Sequence, residues 1–297
     1  MALAPLLVAL AGPRRVTLGR AFTLGLLTGV VHFAGTLYWI THVMNTYGEL
    51  PIWVAVALNG ALVGYLALFP AVFAVIVRRI VVARGTMMMM GAPLVWVATE
   101  LGRTYLLTGF PWVLLGYSQA SVLPIAQLAS IFGVYGVSML VASVSAAVAI
   151  LGAGSGSAEK DVPGTGRFVR FVPLAASFAG VLGVAVWGSQ RAATGRLTHE
   201  GSTIRVGIVQ GNVDQGQKWD PAHATAIFQD YLRKSRQALR EGANLVLWPE
   251  SSTPFMFEED AVGAEQVRML ARQARVPILL GSDQIEWRTV DNKRIPD

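Results

Sequence analysis

Apolar and polar positions divide the chain into two regimes. Four stretches, at about 21–44, 52–77, 122–151 and 171–189, are long and apolar. Each meets the requirement of about 20 apolar residues for a membrane-crossing helix. A fifth, at about 87–107, is also apolar but carries Glu100 and Arg103. Residues 1–12 (MALAPLLVALAG) are apolar and too short to span, so they read as the end of a helix whose beginning is missing or as a short interfacial segment. They do not read as a signal peptide, because Arg14 and Arg15 follow the apolar run instead of preceding it.

From about residue 203 the periodicity changes. TIRVGIVQGN (203–212) reads as a buried strand, and 223–242 as a helix with Ile227, Tyr231, Leu232 and Leu239 on one face and Gly242 at its end. A short strand follows at 244–248, then an amphipathic helix at 261–274 and the strand PILLGS at 277–282. Strand–helix–strand–helix–strand predicts a parallel sheet with crossover helices. The fold class expected is thus a multi-pass α-helical membrane domain at 1–190, a linker at 191–202, and an α/β domain at 203–297.

Charge sharpens this division. Ten Lys/Arg and four Asp/Glu lie in residues 1–190, against fourteen of each in 191–297, so the whole +6 sits among the apolar runs. That is a membrane-topology signal and not a nucleic-acid footprint. Arg14, Arg15 and Arg20, then Arg78, Arg79 and Arg84, then Lys160, Arg167 and Arg170 fall in alternate loops, while 45–51 and 108–121 have no Lys or Arg. The positive-inside rule makes the basic loops cytoplasmic and everything after about residue 190 extracytoplasmic. Residues 152–166 are Gly/Ser/Pro-rich and read as a flexible loop, and MMMM at 87–90 reads as apolar packing. There is no cysteine, which excludes disulfides and a cysteine nucleophile within these residues.

Polar groups at membrane depth invite a functional reading. Glu100 and Arg103, three residues apart on a helix, read either as a structural pair or as a contact to a lipid headgroup. His32 and His42 share no ligand spacing and read as structural or interfacial. TGFPWVLLGYSQ (108–119) combines the helix breakers Gly109, Pro111 and Gly116 with Phe110, Trp112 and Tyr117. It is either a turn with an aromatic belt or a re-entrant segment shaping a lipid-access site.

In the second half Glu250 stands out. It follows Pro249 at the carboxyl end of an apolar strand, where open α/β sheets place their ligands. With Trp248 beside it, partial desolvation would raise its pKa and suit it to general-base work. The alternative is a loop-stabilising acid feeding Ser251, Ser252 and Thr253. No GxGxxG, Walker A, HExxH or GxSxG sequence is present, and neither His199 nor His223 has a partner at metal-ligand spacing. No metal and no cofactor are expected. Arg233, Lys234, Arg236 and Arg240 read as a solvated helix face, with contact to anionic lipid as the other reading.

Four segments together resemble the apolipoprotein N-acyltransferase family: VWVATELGR (95–103), TGFPWVLLGYSQ (108–119), VGIVQGNVDQGQKWDP (206–221) and LVLWPESSTPF (245–255). The resemblance implies a nitrilase-like α-β-β-α sandwich on a membrane base, of which 203–297 is the N-terminal part. It implies a ping-pong transfer of a fatty acyl chain from a phospholipid donor, through a cysteine thioester, to the amino group of a diacylglyceryl-modified apolipoprotein in the bacterial inner membrane. The family's Glu–Lys–Cys triad maps Glu250 onto the general base. Trp219, Gln210 and Asn212 map near the site, and Phe110, Trp112 and Tyr117 onto the lipid-facing segment. The family's lysine and cysteine find no match, since Lys293 does not fit that motif. The chain is accordingly expected to be truncated at both ends, unable to form an acyl-enzyme alone, and monomeric. The residues also leave open a membrane-anchored nitrilase-type amidase, or a non-enzymatic membrane protein whose outer domain only binds. The first shares WPE but has no need of GFPW…GYSQ.

Overall fold

A computed structural model describes residues 3–12, 16–153, 171–195, 200–214, 216–284, 287–290 and 293–296, with side chains placed as far as residue 284. Arg14, Arg15, Lys160, Arg167, Arg170, His199 and nearly all of the 152–166 loop lie outside the described residues, as does the side chain of Lys293. The chain forms two compact units, 1–199 and 200–297.

The first unit is helical: α1 (Ala4–Ala11), α2 (Leu18–Leu37), α3 (Trp39–Thr46), α4 (Ile52–Arg84), α5 (Ala92–Tyr105), α6 (Leu123–Ala126), α7 (Ala129–Ala153) and α8 (Val172–Thr194). Four of these, α2, α4, α7 and α8, are long and apolar enough to cross a membrane. The apolar stretch at 87–107 departs from the expected full helix. It begins as a 3-10 turn at Thr86–Gly91, and only fourteen residues of it, α5, are α-helical. At 1.5 Å per residue that is about 21 Å, short of the ~30 Å hydrocarbon core.

The stretch at 122–151 is likewise broken. Pro124 begins the short α6, and Gly133, at φ 62°, interrupts α7 after its first turn. The stretch at 21–44 pauses at Tyr38, between α2 and α3. The Asn59 amide of α4 donates there to Leu37 O at 3.2 Å and to Thr41 Oγ1 at 3.0 Å.

Close packing of α2 on α4 rests on small residues. A Cβ on Gly25 would lie 2.4 Å from Pro70 O, and one on Gly29 would lie 2.7 Å from Ala67 Cα. Such contacts bring membrane helices together where no hydrophobic force distinguishes protein from lipid. Leu6, Leu7 and Leu10 of α1 are buried in the core formed with α4 and α7, so this short segment packs against protein. Arg78, Arg79 and Arg84 belong to the last turns of α4 and not to a loop. Arg78 is buried, and its guanidinium donates to Leu10 O at 2.7 Å, Gly12 O at 3.0 Å and Val16 O at 2.9 Å. It thereby satisfies carbonyls left open where α1 ends.

The second unit has a parallel sheet in the order β1 (Val206–Ile208), β2 (Leu245–Leu247), β3 (Ile278–Leu279). Val206 pairs with Leu245, and Leu247 pairs with both Ile208 and Leu279. Helices α9 (Pro221–Arg240) and α10 (Ala261–Ala274) make the crossovers. The order 1-2-3 with crossovers of one hand puts both helices on the same face. Phe228, Leu232, Val246, Val267 and Leu270 form the core there. The 203–212 segment is therefore not a buried strand. Residues alternate between faces along a strand, and those pointing away from the helices stay open, with Ile208 79% and Leu279 65% exposed. An antiparallel pair, β4 (Trp287–Val290) and β5 (Lys293–Pro296), follows.

Candidate active site

Glu250 lies just past the end of β2, and its loop is tied to the segment that follows β3. Ser252 N donates to Gly281 O at 2.9 Å, and Ser252 Oγ donates to the same oxygen at 3.0 Å. Ser251 takes a left-handed φ of 47°, and its hydroxyl donates to Asp283 at 2.7 Å. Gly281 is required at the crossing, because a Cβ would lie 2.8 Å from Glu250 Cα. The strained residue next to Glu250 is thus held from the neighbouring strand.

A cavity of about 200 Å³ opens at these strand ends. Gln210, Gly211 and Asn212 line one side, Pro249, Glu250 and Ser252 another, and Lys218, Ile227 and Tyr231 contribute from the following loop and α9. Gln210, Asn212 and Glu250 therefore come together. Trp219 does not line the cavity. It is half exposed, with the Lys218 ammonium 5.4 Å from its ring centre.

Glu250 itself is exposed, and Trp248 does not desolvate it. Strand alternation turns Trp248 to the helix face, where its indole N–H donates to Ser235 Oγ at 2.7 Å and its ring lies 5.0 Å from that of Tyr231.

Lys234 does not lie on a merely solvated face. Its ammonium donates to Gln210 O at 2.9 Å and Gly211 O at 3.5 Å while pairing with Asp230 at 2.7 Å. The Lys234 contact, with Arg233 adding to it, holds the Asp230 carboxyl below its ordinary range. The Tyr231 hydroxyl sits beneath Gly211, where a Cβ would meet it at 2.4 Å, and burial pushes that phenol up. Asp220, of the KWD sequence, is the N-cap of α9. It accepts from Ala222 N at 2.9 Å and from the His223 ring at 3.0 Å, and these bonds lower its pKa. Tyr231 and Lys234 had no distinguishing sequence signal, while Lys218 stands in the KWD sequence, from which only Trp219 was singled out. Tyr231 and Lys234 lie on α9, whose periodicity marks only a helix.

In the first unit the polar residues gather around 104–119. Glu100 and Arg103 form no ion pair with each other among the described residues. Instead, Leu115 N donates to Glu100 Oε1 at 2.7 Å, and Arg103 donates to Trp112 O at 2.6 Å and to Val113 O at 3.3 Å. Gly116 N donates to Ser138 Oγ at 2.8 Å. Tyr135 donates to Thr104 Oγ1 at 2.8 Å, and Tyr65 to Leu106 O at 3.1 Å. Trp112 and Tyr117 are half exposed, and Trp112 stacks on Trp39 at 5.1 Å. Phe110 packs inward on the cluster of Phe33, Leu37, Val63 and Leu66. His32 stacks edge-on against Phe33, and His42 contacts Thr46. No cluster able to hold a metal ion occurs among the described residues.

Comparison with known proteins places these features in a family. The model of the apolipoprotein N-acyltransferase N-terminal domain matches residues 1–147. An apolipoprotein N-acyltransferase of Geobacter metallireducens is 39% identical over 289 residues, which is 96% of this chain and 53% of that protein. Those of Methylococcus capsulatus and Chromobacterium violaceum are 32% and 31% identical over 274 residues, covering 88% and 92% of this chain and 49% of each relative. The chain belongs to the apolipoprotein N-acyltransferase family. It spans about half the length of the curated relatives it matches. The family-model match covers α1 to α5, the irregular 106–119 segment and most of α7.

Proposed function

We propose that the chain serves the N-acylation of bacterial lipoproteins, moving a fatty acyl chain from a membrane phospholipid to the N-terminal amino group of a diacylglyceryl-modified apolipoprotein. The observation that carries this reading is Glu250, held past the end of β2 on a cavity it shares with Lys218, Gln210 and Asn212. In this reading residues 203–297 are the first part of a nitrilase-like domain. They lie outside the cytoplasmic membrane, and the protein works as a monomer.

Glu250 takes the proton of a cysteine thiol, and the thiolate attacks the ester carbonyl of the phospholipid. The tetrahedral intermediate collapses to a thioester, and Glu250 returns the proton to the departing lysophospholipid oxygen. The free amine then attacks the thioester and regenerates the thiol. A base within reach of the thiol is what this step requires. Residues 1–297 contain no cysteine, so in this reading the thiol comes from outside them. Lys218 adds positive charge to the cavity wall. Trp219, exposed beside it, is a contact for lipid or for a neighbouring loop. The segment 108–119 forms the lipid-access site, with Trp112 and Tyr117 facing the acyl chain and Phe110 anchoring the segment from within. The match over residues 1–147 favours this reading over a membrane-anchored amidase, which needs no such segment.

The test is acyl transfer in native membranes from a phospholipid with a labelled acyl chain to a diacylated lipopeptide. Glu250→Gln is expected to lower transfer by about 10²- to 10⁴-fold, the range for a lost general base. An unchanged rate would remove Glu250 from the mechanism.

A further inference from the structure

Residues 107–116 hold a backbone that their own sequence does not favour. Leu107, Thr108, Gly109 and Val113 all take positive φ, at 50°, 72°, 82° and 57°. Three of the four carry side chains, which disfavour that region. Such a conformation persists only where the surroundings over-determine it. Here they do so through two buried ionisable side chains of one helix. Glu100 and Arg103, 2% and 3% exposed, reach from α5 to the backbone of residues 112–115 at the carboxyl end of the strained run. The carboxylate accepts from Leu115 N, and the guanidinium forks onto the carbonyls of Trp112 and Val113 while lying 5.1 Å from the centre of the Phe33 ring. Phe110 N closes the turn on Arg103 O at 2.8 Å.

What the clamp presents outward is apolar: Leu107 is 80%, Tyr117 51% and Trp112 48% exposed. Burying a carboxylate and a guanidinium is costly, and an ordinary turn needs neither. Both charges are directed at main-chain atoms of one short segment, so their effect is to hold its side chains in place.

We propose that Glu100 and Arg103 are positioning residues that clamp residues 107–116 into a rigid apolar ledge, on which the acyl chain of a phospholipid lies against Trp112. The proposal rests on the lipid-access reading of this segment. It assigns the Arg103 guanidinium and Glu100 Oε1 to the backbone, with Glu100 Oε2 buried beside them without a hydrogen-bond partner.

The test uses the 297-residue chain in detergent, titrated with a phospholipid brominated on its acyl chain, with tryptophan quenching as readout. Wild type is expected to show a saturable component that disappears in Trp112→Phe. Glu100→Ala and Arg103→Lys are expected to shift its midpoint by about tenfold or more, as for one lost charge-assisted hydrogen bond. Lysine keeps the charge but lacks the fork that reaches two carbonyls. Glu100→Gln, whose amide oxygen still accepts from Leu115 N, is expected to stay within about twofold. Helix content by circular dichroism is expected to remain that of wild type, and the quenching titrations are run well below the melting midpoint, which the unpaired backbone groups lower in both Glu100→Ala and Arg103→Lys. A merely structural role would move the melting and leave the Trp112-dependent midpoint in place.

Wild-type midpoints in Glu100→Ala and Arg103→Lys, with the Trp112 component intact, would overturn the clamp and leave the lipid reading standing. Absence of any Trp112-dependent component in wild type would overturn the lipid reading, and the clamp with it. If Glu100→Ala does not fold, Arg103→Lys alone decides between these outcomes.

Discussion

The indole N–H of Trp248 donates to Ser235 Oγ at 2.7 Å, and both groups are buried between β2 and α9. Ser235 in turn donates to Tyr231 O at 2.8 Å. This relay ties the strand that leads to Glu250 to the helix that lines its cavity. Ser235→Ala would leave a buried indole N–H without its acceptor, at about 1–3 kcal/mol. The expected result is a lower unfolding midpoint for the second unit by tryptophan fluorescence, with helix content unchanged before the transition.

Helix packing in the first unit depends on the absence of a side chain at Gly25. In Gly25→Ala the new Cβ would lie 2.4 Å from Pro70 O and 2.7 Å from Ala71 Cα, both backbone atoms. Overpacking of this kind costs about 1–3 kcal/mol. Gly35→Ala, on the same helix with nothing within 4 Å, is the control. It is expected to be neutral or slightly stabilising because alanine favours helix. Thermal melting in detergent compares the two.

Acid should loosen the start of α9. The Asp220 carboxyl is held below its ordinary pKa by the Ala222 amide and then by His223. A carboxylate depressed in the folded state contributes stability at pH values above its unfolded pKa, about 4, and loses it as the pH falls through the folded value. Asp220→Asn keeps an N-cap but cannot titrate. The variant is expected to flatten the dependence of the unfolding midpoint between pH 6 and pH 3, and wild type to show it.

Covalent chemistry gives another check. With no cysteine in its 297 residues, the chain incubated alone with a fluorescent phospholipid is expected to carry no hydroxylamine-labile label. A labile adduct would mean that a side chain other than a thiol takes the acyl group.

Much of the fold was legible because its causes are local. Apolar runs near residues 52–77 and 171–189 make helices, since backbone in lipid must satisfy its own hydrogen bonds. The helix at 261–274 was legible from its apolar period, and in the folded chain Asp260 caps it. Where the expectation failed, the cause was a distant partner or a single breaker. Gly133 and Pro124 divide an otherwise continuous apolar run, and composition alone does not register them. Arg78 looked like a loop cation because its hydrogen-bond acceptors are more than 60 residues away in sequence.

Within the candidate site, sequence determined that Glu250 closes an apolar strand and that Gln210 and Asn212 end another, because strand length and turn residues are written in consecutive positions. Tertiary structure alone decided that these ends meet, that Lys218 lines the cavity where Trp219 was expected, and that Trp248 faces the core. In the membrane half, a spacing of three residues allowed Glu100 and Arg103 to pair with each other or to meet a lipid headgroup. Only the folded chain brings the backbone of residues 112–115 within 2.6–3.3 Å of them. Helical periodicity records which side chains share a face. It does not record which main-chain groups a distant turn will leave unpaired, and those groups determine where a buried charge goes.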